Sequence, residues 1–200
     1  PVATITLDRP EVRNAQTPAM WRALATLGAR IPQSVRVVVV QGAGETFSSG
    51  LDRSMLDPRG AEGESVAGLL RLSDAELADT IDEYQAGFTF LRDPRFVTIA
   101  KVRGFAVGAG FQLALSCDLR IVSSDAKFCM MESALGLVPD LTGTKPLVEA
   151  VGYSRALELC TTARTVQAEE SVQIGLALSA HPADELDAAV EALITTLTST

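Results

Sequence analysis

Apolar and polar residues alternate over Val2-Ala-Thr-Ile-Thr-Leu7, the pattern of a strand with one buried face, and Asp8-Arg-Pro10 ends it. The period then lengthens. Met20, Leu24 and Leu27 recur at helical intervals, which predicts a helix over 18–30 with those three on its buried face. Residues 35–41 are rich in β-branched side chains, with no alternation through Val37–Val40, so a strand covered on both faces is expected. Leu77, Ile81, Tyr84, Phe88 and Leu91 form a long helical stripe, ended by Asp93-Pro94, and its aromatics read as core. Between these elements, residues 54–73 carry Pro58, Gly60, Gly63 and Gly68 and read as a long mobile loop of the kind that often serves function.

Further strands are expected at 96–102, 119–122 and 126–130, with an apolar helix running from the glycines at 108–110 to about Cys117. Helices follow at 147–151, 154–162 and 168–175. A last one is expected to open at His181-Pro182-Ala-Asp184, where proline and an acid suit a first turn. Mixed strands and helices without a change of composition predict the α/β class and one domain over 1–200. Its length of 200 residues and 47% hydrophobic content can fill a core, and with only 5% aromatics that core is aliphatic.

Charge and cysteines narrow the function classes. The 17 basic and 25 acidic residues give a net charge of −8, which argues against nucleic acid as a partner. The longest pure aliphatic run is Val37–Val40, far from the roughly 20 apolar residues of a membrane span. Cys117, Cys129 and Cys160 are odd in number and lack CxxC spacing, so reduced thiols in a cytoplasmic protein are expected and a metal site is not. The chain begins at Pro1 without a basic-then-apolar signal segment, which fits the same expectation.

The candidate chemistry lies in three places. Serine hydrolase chemistry is disfavoured, because there is no G-x-S-x-G and His181 is the only histidine. Gly108-Ala-Gly110-Phe-Gln-Leu113 has two glycines of a dinucleotide fingerprint, but Leu113 stands where the third belongs. Glycines that open a helix can leave bare N–H groups facing an anion or a developing oxyanion. A tight, closely packed strand-to-helix turn would explain Gly104, Gly108 and Gly110 equally well, and at this point both readings stand. Phe47-Ser-Ser-Gly-Leu-Asp52 is a second glycine turn after a buried strand. Glu132 and Asp140 fall in an otherwise apolar stretch, where lost solvation would raise a carboxyl toward useful acid–base range, unless both are simply exposed loop acids.

Together these segments resemble the crotonase superfamily, the enoyl-CoA hydratases and isomerases. The resemblance begins at Leu7-Asp-Arg-Pro-Glu-Val-Arg-Asn14 and runs through 47–52, then 101–120, then Leu135-Gly-Leu-Val-Pro-Asp140, and ends with the helical run 169–176. It implies a crotonase-like spiral of ββα units over 1–145 and a helical C-terminal portion over 146–200 used for trimer packing. Family members run somewhat longer at the C-terminus, so the last helices are expected to lie beyond this chain. By motif position the resemblance makes the N–H groups of Leu51 and Ala109 an oxyanion hole for an acyl-CoA thioester. It makes Leu51, Asp52, Arg53 and Ser54, with Gly108 and Gly110, the substrate-binding backbone, and sends Arg13 toward the CoA phosphates. Coenzyme A enters only as part of the substrate, with no further cofactor, and the assembly is a homotrimer or a dimer of trimers.

The hydratases use two glutamates around a water. One matches Glu132; the other falls at Gln112, whose amide can orient substrate or water but cannot exchange a proton at neutral pH. Isomerases that work with one carboxylate match Glu132, and dienoyl and ring-opened phenylacetyl-pathway isomerases match Asp140. Double-bond isomerisation is therefore expected somewhat ahead of hydration. The alternatives are a hydratase using Glu132 with Gln112 or Asp140, and a non-catalytic acyl-CoA binding protein.

Overall fold

The computed structural model describes residues 1–57 and 64–199. Its strands are β1 (Val2–Leu7), β2 (Val37–Gly42), β3 (Val97–Val102), β4 (Phe105–Val107), β5 (Leu119–Ser123), β6 (Lys127–Cys129), β7 (Val166–Gln167) and β8 (Ser179–His181). Five of them form one wholly parallel sheet in the order β1-β2-β3-β5-β8. The other three form a small sheet in the order β4-β6-β7, with β4 parallel to β6 and β7 antiparallel. The helices are α1 (Pro18–Ala29), α2 (Val66–Leu69), α3 (Asp74–Thr89), α4 (Ala109–Ser116), α5 (Thr144–Val151), α6 (Tyr153–Thr162), α7 (Ala168–Gln173) and α8 (Leu186–Thr198).

The unalternating valines of β2 are buried on both sides, as a strand inside a parallel sheet requires. Val38 and Val40 join the main core with Phe47, Phe88, Leu91 and Phe111. Val37 and Val39 meet Ile99 and Ile121 beneath Leu186, Val190 and Ile194, so α8 covers the sheet's other face. The stretch 146–200 thus holds helices but also contributes β7 and β8, one to each sheet.

α1 begins where expected: Thr17 accepts the Met20 N–H and Pro18 stands in the first turn. Its buried stripe is the expected one only in part, with Leu24 buried and Met20 half-buried against the core. Trp21, Leu24 and Gly28 face inward, and Leu27 is 48% exposed. The cause is a close approach, since a Cβ on Gly28 would stand 2.4 Å from Phe90 Cγ. α3 matches its stripe and starts with a full capping box, Ser73 and Glu76 each bonding the other's backbone N–H.

Three short strands leave no pattern in the sequence. β4, β7 and β8 are two or three residues long, too short for alternation to show. The cost is clearest at His181. It ends β8, opposite Ser123, and the chain turns at 182–185 with the Glu185 N–H donating to Pro182 O at 2.9 Å, so α8 opens at Leu186 rather than at the proline. Residues 54–73 are only partly loop. Ser65 caps the single turn of α2, while 58–63 lie outside the described residues. Among the described residues no helix is long and apolar enough to cross a membrane.

Candidate active site

The site begins with two peptide groups. After β2 the chain turns so that Ser48 runs beside β4, with the Ser48 N–H donating to Phe105 O and the Val107 N–H to Ser48 O. At Gly50 the two segments touch: its φ is +91°, and a Cβ there would stand 2.5 Å from Val107 O and 3.5 Å from Ala109 N. Only glycine fits such a backbone at such a contact. The Gln16 N–H donates to Gly50 O at 2.7 Å and the Asp52 N–H to Gln16 O at 2.8 Å, which brackets Leu51. In a trans peptide the N–H opposes the C=O, so locking Gly50 O onto Gln16 turns the Leu51 N–H away from Gln16, to the cavity side.

Side chains fix this arrangement from behind. Asn14, Gln16 and Ser48 are all fully buried. Gln16 Oε1 accepts the Trp21 indole N–H at 2.8 Å, and Gln16 Nε2 donates to Ser48 Oγ at 3.1 Å. Ser48 Oγ donates to Asn14 O and accepts the Gly50 N–H at 3.2 Å. A fully satisfied buried network of this kind holds one geometry.

The second peptide lies at the start of α4. Gly108, with φ +51° and ψ −122°, donates its N–H to Cys129 O, and its carbonyl accepts the Gln112 N–H at 2.9 Å. That fixes the Ala109 N–H outward from the helix N-terminus, where the helix dipole adds partial positive charge. Among the described residues, neither the Leu51 nor the Ala109 N–H has an acceptor within the protein. The two readings of the glycines divide by residue. Gly108 shapes the donor, whereas a Cβ on Gly110 would stand 2.6 Å from Ser48 O, so Gly110 is a packing position and does not line the cavity.

Two carboxyl groups share the cavity with these donors. Glu132 sits in the turn Met131–Leu135 after β6 and is 8% exposed. Its Oε1 accepts from Gln112 Nε2 at 2.7 Å; its Oε2 is buried with no partner among the described residues. A Cβ on Gly108 would stand 3.4 Å from Glu132 Oε1, which puts the carboxyl beside the peptide that supplies the Ala109 N–H. Burial pushes Glu132 above the usual carboxylate range, against its own backbone N–H and the bond from Gln112, and the Asp140 charge adds a smaller push upward. Asp140 borders the same cavity. As a whole residue it is open to solvent, yet burial of its carboxyl raises its pKa as well.

Gln112 itself is fully buried, and its amide faces two protein groups. The Gly143 N–H donates to Gln112 Oε1 at 3.1 Å. A backbone N–H can only donate, so the amide oxygen must face Gly143 and the nitrogen must face Glu132. Both ends of the amide are thus engaged within the protein, the nitrogen with Glu132 Oε1 and the oxygen with the Gly143 N–H.

The cavity has a volume of about 570 Å³ and a largely apolar wall that includes Trp21, Met55, Leu69, Leu77, Ile81 and Tyr84. Leu51, Arg53, Gly108 and Ala109 line it; Arg13, Asp52 and Ser54 do not. Asp52 pairs with Arg9 at 2.9 Å and accepts from the Ser54 N–H and hydroxyl, while Arg13 offers its carbonyl to the Ser49 N–H. Gln16, Trp21, Ser48 and Gly143 are not among the site residues that the sequence points to, although Ser48 lies within the glycine turn at 47–52. The one available signal was the polar pair Asn14 and Gln16 just before a helix that packs inward.

Fold and site together define an α/β protein in which two peptide N–H groups, without an acceptor among the described residues, share an apolar cavity with a buried carboxyl group. The profile of the enoyl-CoA hydratase/isomerase family matches residues 1–200. A Mycobacterium tuberculosis protein that carries an enoyl-CoA hydratase name is 31% identical over 199 residues, covering 98% of this chain and 71% of that protein. The mitochondrial Delta(3,5)-Delta(2,4)-dienoyl-CoA isomerase of Rattus norvegicus is 35% identical over 190 residues, 90% of this chain and 56% of that one. An enoyl-CoA hydratase-type protein from Thermobifida fusca YX, solved in complex with acetoacetyl-CoA, is 54% identical with a TM-score of 0.93, covering 100% of this chain and 77% of its own. The chain belongs to the enoyl-CoA hydratase/isomerase family of enzymes, and its α/β fold is the crotonase-like one that the sequence resemblance implied.

Proposed function

We propose that this chain binds an acyl-CoA thioester in the cavity and moves a carbon–carbon double bond along the acyl group. The thioester oxygen takes the N–H groups of Leu51 and Ala109. Removing a proton from C2 of a 3-enoyl thioester builds an enolate, and each well-placed donor is typically worth about 3–4 kcal/mol to that developing charge. Glu132 takes the C2 proton on Oε2. The pair of the broken C–H bond forms C1=C2 as the carbonyl π pair moves onto oxygen; when the enolate collapses, the C1=C2 pair becomes C2=C3 and the former C3–C4 π pair takes at C4 the proton that Glu132 holds. Asp140 is the second acid–base group of the cavity. The backbone at 51–54 and Arg53 receive the CoA portion, with Arg13 near its phosphates. Coenzyme A serves only as part of the substrate, and a homotrimer or dimer of trimers in the cytoplasm completes the reading.

The observation that carries it is Glu132 Oε2, a buried oxygen with no partner among the described residues, in a carboxyl group beside Gly108 and so next to one of the two donors. Gln112 carries no exchangeable proton at neutral pH, so the carboxylate pair that activates water in hydration is absent at this position. The resemblance to a dienoyl-CoA isomerase points the same way. The relative with a hydratase name favours a second reading, hydration by Glu132 with Gln112 or Asp140. Offering the protein 2-enoyl-CoA and 3-enoyl-CoA separately, with products resolved by chromatography, tests the two. Double-bond migration faster than water addition is the expected result; the reverse order overturns it in favour of hydration.

A further inference from the structure

Gln112 does more than occupy the place of a missing acid. It stands one turn into α4, and each of its polar groups meets a different part of the site. Its N–H fixes the carbonyl of Gly108, the peptide that aims the Ala109 donor. Its Nε2 holds Glu132 Oε1 at 2.7 Å and its Oε1 holds the Gly143 N–H at 3.1 Å. Its own carbonyl accepts from Ser116 Oγ, which lies 3.3 Å from Thr142 Oγ1. Thr142 and Gly143 close the turn that bears Asp140. Thr142 has φ +73°, a conformation that costs a β-branched residue of order 1–3 kcal/mol and persists only where the surroundings enforce it. The fit is tight: a Cβ on Gly143 would stand 2.6 Å from Gln112 Cγ.

We infer that Gln112 is a positioning residue whose neutral amide sets Glu132 and the Asp140 turn in register with the Ala109 donor. This rests on the reading of Glu132 as the base. An amide at this position can do what a carboxylate cannot. An ionised carboxylate at 112 could accept from Gly143 but could not donate to Glu132, and it would repel it. A protonated carboxyl could do both jobs, with its carbonyl toward Gly143 and its O–H toward Glu132. The other titratable groups facing Glu132 are Asp140 from the turn, Cys129 from β6 and Cys160 from α6. Burial pushes both thiols up, so they stay neutral as this pair titrates.

The test compares wild-type protein with Gln112→Met, Gln112→Glu and Gly143→Ala. Two readouts are taken: kcat and KM for 3-enoyl-CoA isomerisation across pH, and the Glu132 carboxyl pKa by carbon-13 NMR. Gln112→Met is expected to lower kcat by about 10²-fold, the scale of a small misplacement of a reacting group, with KM little changed. Its Glu132 pKa rises further, because a bond that favours the charged form is gone. Gln112→Glu is expected to approach wild-type kcat while the introduced carboxyl and Glu132 share one proton, and to lose activity as pH rises through the pair's upper apparent pKa. Gly143→Ala, which leaves the amide chemistry intact and pushes it aside, gives a smaller loss of kcat and keeps the test in hand if Gln112→Met does not fold. Full activity of Gln112→Glu at high pH would overturn the inference, as would a Glu132 pKa unchanged in Gln112→Met. If wild-type protein turns over no enoyl-CoA, the proposed function fails, while the Glu132 pKa comparison still decides the positioning role.

Discussion

The two halves of the site solve opposite problems. In the donor half, the proposed chemistry falls to backbone. Gly50 O and Gly108 O are each locked by an N–H, from Gln16 and Gln112, and the opposing N–H groups of Leu51 and Ala109 are left to face the cavity. The donors themselves are uncharged, and the Asn14, Gln16 and Ser48 side chains behind the Leu51 donor are satisfied. In the carboxylate half, side chains on the turns at 131–143 supply it. An acid is buried there with one oxygen bonded and one without a partner among the described residues, and a threonine is held in the left-handed region. Preorganised dipoles come with the fold at little cost, whereas a buried base is a destabilising element that its neighbours must hold in place. Changes to the two halves should therefore differ in sign as well as in size.

Glu132→Gln breaks the comparison most sharply. Removing a general base typically costs about 10²–10⁴ in rate, so kcat should fall on that scale while acyl-CoA affinity persists. The melting temperature at pH 8 should rise in the same variant. The sign follows from linkage: burial holds the folded pKa of Glu132 above its unfolded value, so the native state keeps a proton that the unfolded chain releases, and stability declines as pH rises through that interval. A glutamine is free of that penalty. The same raised pKa places the acid limb of the wild-type kcat/KM profile above the ordinary carboxylate range, because the base must be ionised to act.

In the donor half both quantities should fall together. Gly50→Ala forces a Cβ against Val107 O, and the Leu51 N–H loses its aim, so kcat drops by about 10²–10³ as for loss of one oxyanion donor. Its melting temperature drops too, in contrast to Glu132→Gln. Trp21→Phe is a milder break, since it keeps the ring packing and orphans Gln16 Oε1. A loss of roughly 1–3 kcal/mol in denaturant unfolding is expected, with a smaller effect on rate. Ile81→Trp touches neither half. It narrows the apolar wall and should cost about 10-fold in kcat/KM for longer acyl chains relative to short ones.

How much of this could be read from residues follows the same division. The buried-both-sides strand at Val37–Val40 and the stripe from Leu77 to Leu91 were legible because periodicity reports burial directly. The donor turns were legible as glycine clusters, and the resemblance supplied which N–H groups matter. Backbone contacts were not legible: nothing in the residue types says that Gln16 brackets Leu51, or that Gly28 rather than Leu27 faces Phe90. In the carboxylate half, Glu132 and Asp140 stood out as acids in apolar company. The role of Gln112 did not, because it depends on a hydrogen bond to Gly143, thirty-one positions away, which only the folded turn creates.

The most direct test of the central claim is deuterium uptake at C2 of 3-enoyl-CoA in D₂O, followed by NMR for wild-type, Glu132→Gln and Asp140→Asn proteins. With Glu132 as the base beside the two donors, uptake and double-bond migration should disappear together in Glu132→Gln and continue, more slowly, in Asp140→Asn. Uptake that survives in Glu132→Gln and vanishes in Asp140→Asn would contradict the account and transfer the base to Asp140.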